Sequence, residues 1–165
     1  MICNIFAMDR MGGIGLNRDF HWAIDDAYKS WFAKQVQDQI LVVGSRTWSV
    51  LVRHGLTPWA RKIYVVTKSC SNNNVTCVQG NLVEVVKGIQ QLHPDRDVYV
   101  VGGKQLFEAT RHIVERMNIA HINGQWHADA RIYSGYFLSG FQVTRVEPTT
   151  DKKYTYMTYR NLLPL

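Results

Sequence analysis

The stretch Asp97-Val98-Tyr99-Val100-Val101-Gly102-Gly103-Lys104-Gln105-Leu106-Phe107 constrains the fold more than any other part of the chain. Val98 to Val101 form an unbroken apolar run, mostly β-branched, which suits a strand buried on both faces of a parallel sheet. Two glycines then leave bare backbone, and a helix-like segment follows with Leu106, Phe107 and Ala109 on its apolar side. Strand, glycine turn and helix start together present unpaired N–H groups to an anion, usually a phosphate. A tight turn that merely needs two glycines explains the same residues, and a Gly-Gly pair alone does not decide between them.

At 165 residues the chain is expected to be a single domain, 1–165, with one core. Its composition, 46% hydrophobic and 19% charged, is that of an ordinary soluble protein. No apolar run approaches the roughly 20 residues of a membrane helix. The first ten residues lack the basic start and apolar core of a signal peptide. Cys3, Cys70 and Cys77 are odd in number and contain no Cys-x-x-Cys pair, so reduced thiols in the cytoplasm are expected. The six histidines are scattered, and no metal is expected. A formal charge of +6 and a pI near 9.3 favour an anionic partner. The basic residues are dispersed, which argues against nucleic acid and leaves a small phosphorylated cofactor.

Taken in order, Met1 to Met8 reads as a buried strand. Asp9 to Asp19 is a glycine-rich loop, too rich in turn formers for regular structure and long enough to be a lid. After His21-Trp22 a helix begins with Asp25 or Asp26 at its N-terminal end and runs to about Val36, with Ala27, Trp31 and Phe32 as its apolar contacts. Ile40 to Val43 is a second buried strand, feeding a turn at Gly44-Ser45-Arg46-Thr47-Trp48 and a short helix to about Leu51. Strands follow at Ile63–Thr67 and Val75–Val78, with a polar loop from Lys68 to Asn74 between them. Leu82, Val85, Val86, Ile89 and Leu92 recur at helical spacing, which gives a helix over 81–92. A helix over 104–112 and a strand from Met117 to Ile122 come next. Phe141–Val146 and Tyr154–Tyr159 alternate as an antiparallel pair. The fold class is therefore α/β, a mostly parallel sheet with flanking helices and an antiparallel edge at the C-terminus.

Four pieces, in order and in spacing, resemble the dihydrofolate reductase family across essentially the whole chain. They are Ala7-Met8-Asp9-Arg10 with Gly13-Ile14-Gly15 and Trp22; Gly44 to Trp48; Arg61-Lys62 heading a strand; and Val101-Gly102-Gly103. The resemblance implies a dihydrofolate reductase-like fold and a monomeric enzyme that reduces dihydrofolate to tetrahydrofolate with NADPH, the hydride passing from nicotinamide C4 to pterin C6. It makes Ile5 and Ala7 the floor of a pterin pocket, with Val101 beside them, and Phe32 and Leu51 apolar walls. Ile14, Gly15 and the residues to Trp22 become a lid over nicotinamide and pterin, excluding water. Arg61 is placed to hold the substrate's glutamate carboxylate through a guanidinium fork. The turn Gly102, Gly103, Lys104, Gln105 and Leu106 is placed at the pyrophosphate, with a cis peptide expected between the two glycines. Gly44, Ser45, Arg46, Thr47, Thr67 and Lys68 surround the adenosine side, Arg46 and Lys68 being candidates for the 2′-phosphate. A solvated surface cation is the competing reading for both, and more so for Lys68.

The resemblance breaks at the acid. Family members carry a carboxylic acid four residues before the phenylalanine that corresponds to Phe32, and this chain has Tyr28 there. Its hydrogen-bonding threonine on the 117–122 strand is Ala120 here, Phe107 stands where a tyrosine is usual, and His21 replaces a proline. A phenol is neutral near pH 7 and cannot supply the carboxylate's charge. Asp25, one turn before Tyr28 on the same helix face, could replace the acid, as could Asp26 if the helix began later. A helix cap is the equal alternative for both. A reductase of another heterocycle on the same fold, or a silent member binding nucleotide, folate or a protein, are the competing functional readings.

Overall fold

The computed structural model describes residues 1–69 and 75–163. Its centre is an eight-stranded sheet in the order β5-β4-β3-β6-β1-β7-β10-β9. The strands are β1 (Ile2–Met8), β3 (Ile40–Gly44), β4 (Lys62–Val66), β5 (Thr76–Val78), β6 (Val98–Gly102), β7 (Arg116–Ile122), β9 (Phe141–Pro148) and β10 (Tyr154–Asn161). β10 pairs antiparallel with both β7 and β9, and the other pairings are parallel. The mostly parallel α/β sheet with an antiparallel C-terminal edge is thus as the sequence predicts.

Side chains one residue apart on a strand enter opposite cores, and the central strands fill both. Ile2, Phe6 and Met8 of β1 join one apolar cluster, with Val98 and Val100 of β6. Cys3, Ile5 and Ala7 join the other, with Tyr99 and Val101. The first cluster is covered by α3 (Leu82–Leu92) and α4 (Lys104–Thr110), through Val86, Ile89, Leu106 and Phe107. The second is covered by α1 (Asp26–Val36) through Tyr28, Trp31, Phe32 and Val36, and by Leu51 of α2 (Ser45–Arg53). β1 and β3 stand on either side of β6, so their outgoing connections diverge and open a crevice beyond the carboxyl end of β6.

Two local expectations are corrected. The glycine-rich loop is not irregular throughout, because Gly13–Gly15 forms a short strand, β2, pairing antiparallel with β8 (Ala130–Arg131). Gly12 makes the approach possible: its φ is +77°, and a Cβ there would meet the Ile132 carbonyl oxygen at 2.1 Å. A helical turn, α5 (Ser134–Phe137), also stands where no element was expected. Part of the expected polar loop 68–74, residues 70–74 with Cys70, lies outside the described residues. Cys3 is a free buried thiol, whereas Cys77 is disulfide-bonded, so the expectation of reduced thiols does not hold for Cys77. Among the described residues no helix is long and apolar enough to cross a membrane.

Candidate active site

The crevice is a cavity of about 910 Å³. Its floor is Ile5, Phe6 and Ala7 of β1 with Val101 of β6. Tyr28 and Phe32 of α1 and Val50 and Leu51 of α2 close one half into an apolar chamber. Gly44 to Thr47 and Gly103 to Phe107 line the other half, with Val66 and Leu82. The loop Ile14 to Phe20 spans both, backed by Asp129 and Ala130. The pairing of β2 with β8 therefore seats the root of the lid on a strand, and the rest arches over the cavity.

The second half is built from two helix starts. Gly44 precedes α2 and Gly103 precedes α4, and neither offers a side chain to cap its helix. Their first-turn amides are left for another acceptor. The Gly102–Gly103 peptide bond is cis, as expected. Gly102 has a φ of +126°, and a Cβ there would meet the Phe107 ring at 3.2 Å. A glycine is needed at that point for both reasons. Arg46 and Lys104 add positive charge to the wall, and Arg18 adds it from the lid.

The chamber end is chemically different. Tyr28 is buried, and among the described residues nothing is hydrogen-bonded to its hydroxyl. Burial, reinforced by Tyr154 and Tyr156 nearby, pushes the phenol's pKa upward, so it stays neutral at any physiological pH. Ala120 is fully buried on β7, between Ala7 of β1 and Tyr156 of β10, and brings no hydroxyl. The carboxylates on the cavity wall are Asp19 and Asp129, both on the lid side. Asp19 accepts from Arg53 Nη1 at 2.9 Å and faces His54 Nε2 at 2.8 Å. Asp129 accepts the Asn17 amide at 3.0 Å.

Asp25 and Asp26 do not line this cavity, and of the two readings open for Asp25, helix cap and relocated acid, the cap is the one its geometry shows. Asp25 caps α1, its Oδ1 accepting from the Tyr28 amide at 3.0 Å and from the Tyr154 hydroxyl at 2.9 Å. Its Oδ2 accepts from Lys153 Nζ at 2.7 Å. Burial works to raise its pKa, but these donors outweigh it and hold the carboxyl below the usual range. Asp26 is exposed in the first turn. Trp22 is buried behind the chamber, its ring edge-on to Phe20 and Tyr28, and its Nε1 donates to Tyr154 Oη at 3.0 Å.

Other expected residues also lie off the cavity wall. Arg61 is exposed, with its guanidinium 3.7 Å from Asp38. Thr67 donates its hydroxyl to the Ser69 carbonyl, and Lys68 is exposed. Gly102 lies just behind Gly103. Ile5, Ala7, Ile14, Gly15, Phe32, Gly44, Ser45, Arg46, Thr47, Leu51, Val101, Gly103, Lys104, Gln105 and Leu106 are brought together around the one cavity. Phe107, which the resemblance sets where a tyrosine is usual, lines it too, and Phe6, Val50, Asp129 and Ala130 also line it without having been singled out for it. Phe6 and Val50 follow from strand and helix periodicity, whereas Asp129 and Ala130 depend on a long-range pairing that no local pattern signals.

A buried pair joins the two ends of the loop. Asp9 and His21 have fully buried side chains, with Oδ2 and Nε2 2.9 Å apart. Asp9 also accepts the amides of Met11, Gly13 and Trp126. His21 thus closes the loop on itself.

The dihydrofolate reductase family model matches residues 1–162. The chain is 26% identical over 162 residues to a dihydrofolate reductase of Mycoplasma pneumoniae, covering 94% of this chain and 96% of that one. It is 23% identical over 160 residues to the segregation and condensation protein A of the same organism. That match covers 94% of this chain but only 30% of the relative's length. A dihydrofolate reductase from Enterococcus faecalis, complexed with NADP(H) and RAB-propyl, superposes with a TM-score of 0.78 at 19% identity, over 97% of this chain and 95% of the other.

Proposed function

The chain belongs to the dihydrofolate reductase family, and from that premise we propose that it reduces 7,8-dihydrofolate to tetrahydrofolate with NADPH, without a carboxylate at the pterin. The observation that carries this reading is the cavity's two-part construction. Two uncapped helix starts with Arg46 and Lys104 line one half, and an apolar chamber of Ile5, Ala7, Phe32 and Leu51 lines the other. One half suits a diphosphate and the other a flat heterocycle, and both lie under one lid.

The residues present fit a dinucleotide. Gly103 to Leu106 would hold the pyrophosphate with backbone amides, Ser45 and Thr47 would lie against the adenosine side, and Arg46 would face the 2′-phosphate. Thr67 and Lys68 stand outside the cavity wall and could reach only an adenosine end that projects beyond it. NADPH supplies the hydride when bound. Ile14 and Gly15 cover the nicotinamide half, and closing the lid excludes water from both partners. Trp22 backs the chamber. Phe32 and Leu51 flank the pterin, and Tyr28 Oη meets its edge as a neutral hydrogen-bonding group. Since Tyr28 keeps its proton, the one proton the reduced ring requires comes from water that reaches the chamber before closure. Arg61 would hold the glutamate carboxylate by exchanging its partner Asp38 for it. The reading is of a cytoplasmic monomer that supplies tetrahydrofolate for one-carbon transfer.

A second reading, a silent member that binds nucleotide, folate or a protein, is favoured by Tyr28 and Ala120 replacing acid and hydroxyl together. The matched region of a protein named for segregation and condensation is a further point in its favour. NADPH oxidation with and without dihydrofolate separates the two. Dihydrofolate-dependent oxidation supports the reductase, and tight NADPH binding without turnover supports the silent protein.

A further inference from the structure

Asp25 is not in the cavity, yet its carboxylate joins α1, which walls the cavity, to β10 behind it. Oδ1 takes the Tyr28 amide at 3.0 Å, which fixes the first turn of α1 and with it a residue of the chamber. The same oxygen takes the Tyr154 hydroxyl at 2.9 Å. Tyr154 is fully buried at the start of β10. Its own oxygen accepts the Trp22 indole N–H at 3.0 Å.

The direction of this chain is fixed by chemistry. An indole nitrogen can only donate, and an ionised carboxylate can only accept. Tyr154 is the one group that can do both, so its proton must point to Asp25 and its lone pair to Trp22. Lys153, 2.7 Å from Asp25 Oδ2, holds the carboxylate from the solvent side. Trp22 in turn ends the lid, with ring centroids 4.9 Å from Phe20 of the lid and 5.4 Å from Tyr28 of the chamber. Tyr154 is itself immobilised. Its ring lies nearly parallel to Tyr156 at 5.7 Å, and its backbone is bonded in both directions to Thr149.

We propose that Asp25 and Tyr154 are positioning residues that act through Trp22 to hold the lid in its closed setting over the chamber. The carboxylate is thus used one layer out from the substrate, where it ties α1, β10 and the lid together. Without the phenol oxygen the buried indole N–H has no acceptor, and the lid loses the fixed point at its end. The effect on turnover rests on the reductase reading; the effect on the lid does not.

The test compares Tyr154→Phe, which removes the oxygen and keeps the stacked ring, with Asp25→Ala and Asp25→Asn. Amide hydrogen exchange is followed in the lid, residues 16–22, and in β1 and β6, together with NADPH affinity and steady-state kinetics. In Tyr154→Phe, lid exchange should quicken on the order of tenfold, the scale of one lost buried hydrogen bond, while exchange in β1 and β6 stays as it was. NADPH should bind more weakly and KM should rise more than kcat falls. Asp25→Ala should do the same, and Asp25→Asn, which keeps an acceptor oxygen, should recover most of the parent's lid protection. Unchanged lid exchange in Tyr154→Phe, or acceleration spread equally through the sheet, overturns the proposal. A parent protein that binds NADPH but does not turn over fails the reductase reading instead, with the exchange comparison still deciding this one.

Discussion

Asp19 Oδ1 lies 2.8 Å from His54 Nε2, which ties the lid to the residue that ends α2. Asp19 Oδ2 meets Arg53 Nη1 at 2.9 Å, and the Phe20 ring stands edge-on to His54 at 5.0 Å. Partly exposed pairs of this kind contribute about 0.2–1 kcal/mol each. Asp19→Ala should therefore speed release of a bound nucleotide about threefold to tenfold and scarcely move Tm. Stopped-flow chase of bound NADPH reads the rate.

The latch has a pH limit with a definite sign. Burial works to raise the Asp19 pKa, but His54, the Phe20 amide and Arg53 outweigh it and hold the carboxyl below its ordinary value. A carboxyl whose folded-state pKa is depressed contributes fully above its unfolded value and loses that contribution as pH falls through the folded one. The slowing of release by Asp19 should be constant from neutrality down to about pH 4, and release should quicken below it. In Asp19→Ala that acid rise should be absent.

Asp9 carries the same sign into global stability. Burial opposes its charge, but the amides of Gly13, Met11 and Trp126, with His21, overcompensate and depress its pKa. Asp9→Asn leaves an amide facing the Trp126 N–H and should cost about 1.5–3 kcal/mol at pH 7, the scale of a charged hydrogen bond lost in a buried site. Urea unfolding across pH checks it. The gap between the two proteins should be complete above the ordinary carboxylate range and close as pH falls through the folded value.

These contacts show where the sequence stopped being readable. The buried strands were legible because Ile40 to Val43 and Val98 to Val101 leave no polar residue for a solvent face, and the Gly-Gly turn because few residues permit it. Asp25 was legible as a cap, since that role depends on residues three apart. Its partners Lys153 and Tyr154 lie more than a hundred residues on, and no periodicity announces them. The pairing of Gly13–Gly15 with Ala130–Arg131 was hidden for the same reason, and glycines there read as loop. Arg61 could be aligned with a family position, but not its pairing with Asp38.

That pairing makes Arg61 testable through the substrate's tail. Its guanidinium is exposed and 3.7 Å from Asp38, a weak contact that a carboxylate in good geometry can displace. Arg61→Ala should raise KM for dihydrofolate about tenfold or more, the scale of one charge-assisted hydrogen bond. A dihydropterin lacking the glutamate should be affected less than twofold, the difference being that one contact. Equal changes with both substrates would remove Arg61 from the tail site.

Tyr28 and Ala120 make the most direct prediction about chemistry. The family's acid and threonine can be restored together by Tyr28→Asp with Ala120→Thr, the hydroxyl helping to satisfy a carboxylate in a buried chamber. General acid–base assistance contributes on the order of 10²–10⁴ in rate. A gain in kcat/KM for dihydrofolate, with a new carboxylate-like limb in its pH profile, is the expected result. Protonated diaminopyrimidines should gain more clearly, because they place a cation where the parent has a neutral phenol. A charge-assisted bond of about 1.5–3 kcal/mol predicts binding roughly tenfold to 150-fold tighter in the double variant. Titration of the folded double variant with such an inhibitor, beside Tyr28→Asp alone, separates the carboxylate's contribution from the threonine's. If the parent already binds the inhibitor as tightly as the double variant, the chamber holds a charge partner other than these two residues, and the neutral-site reading falls.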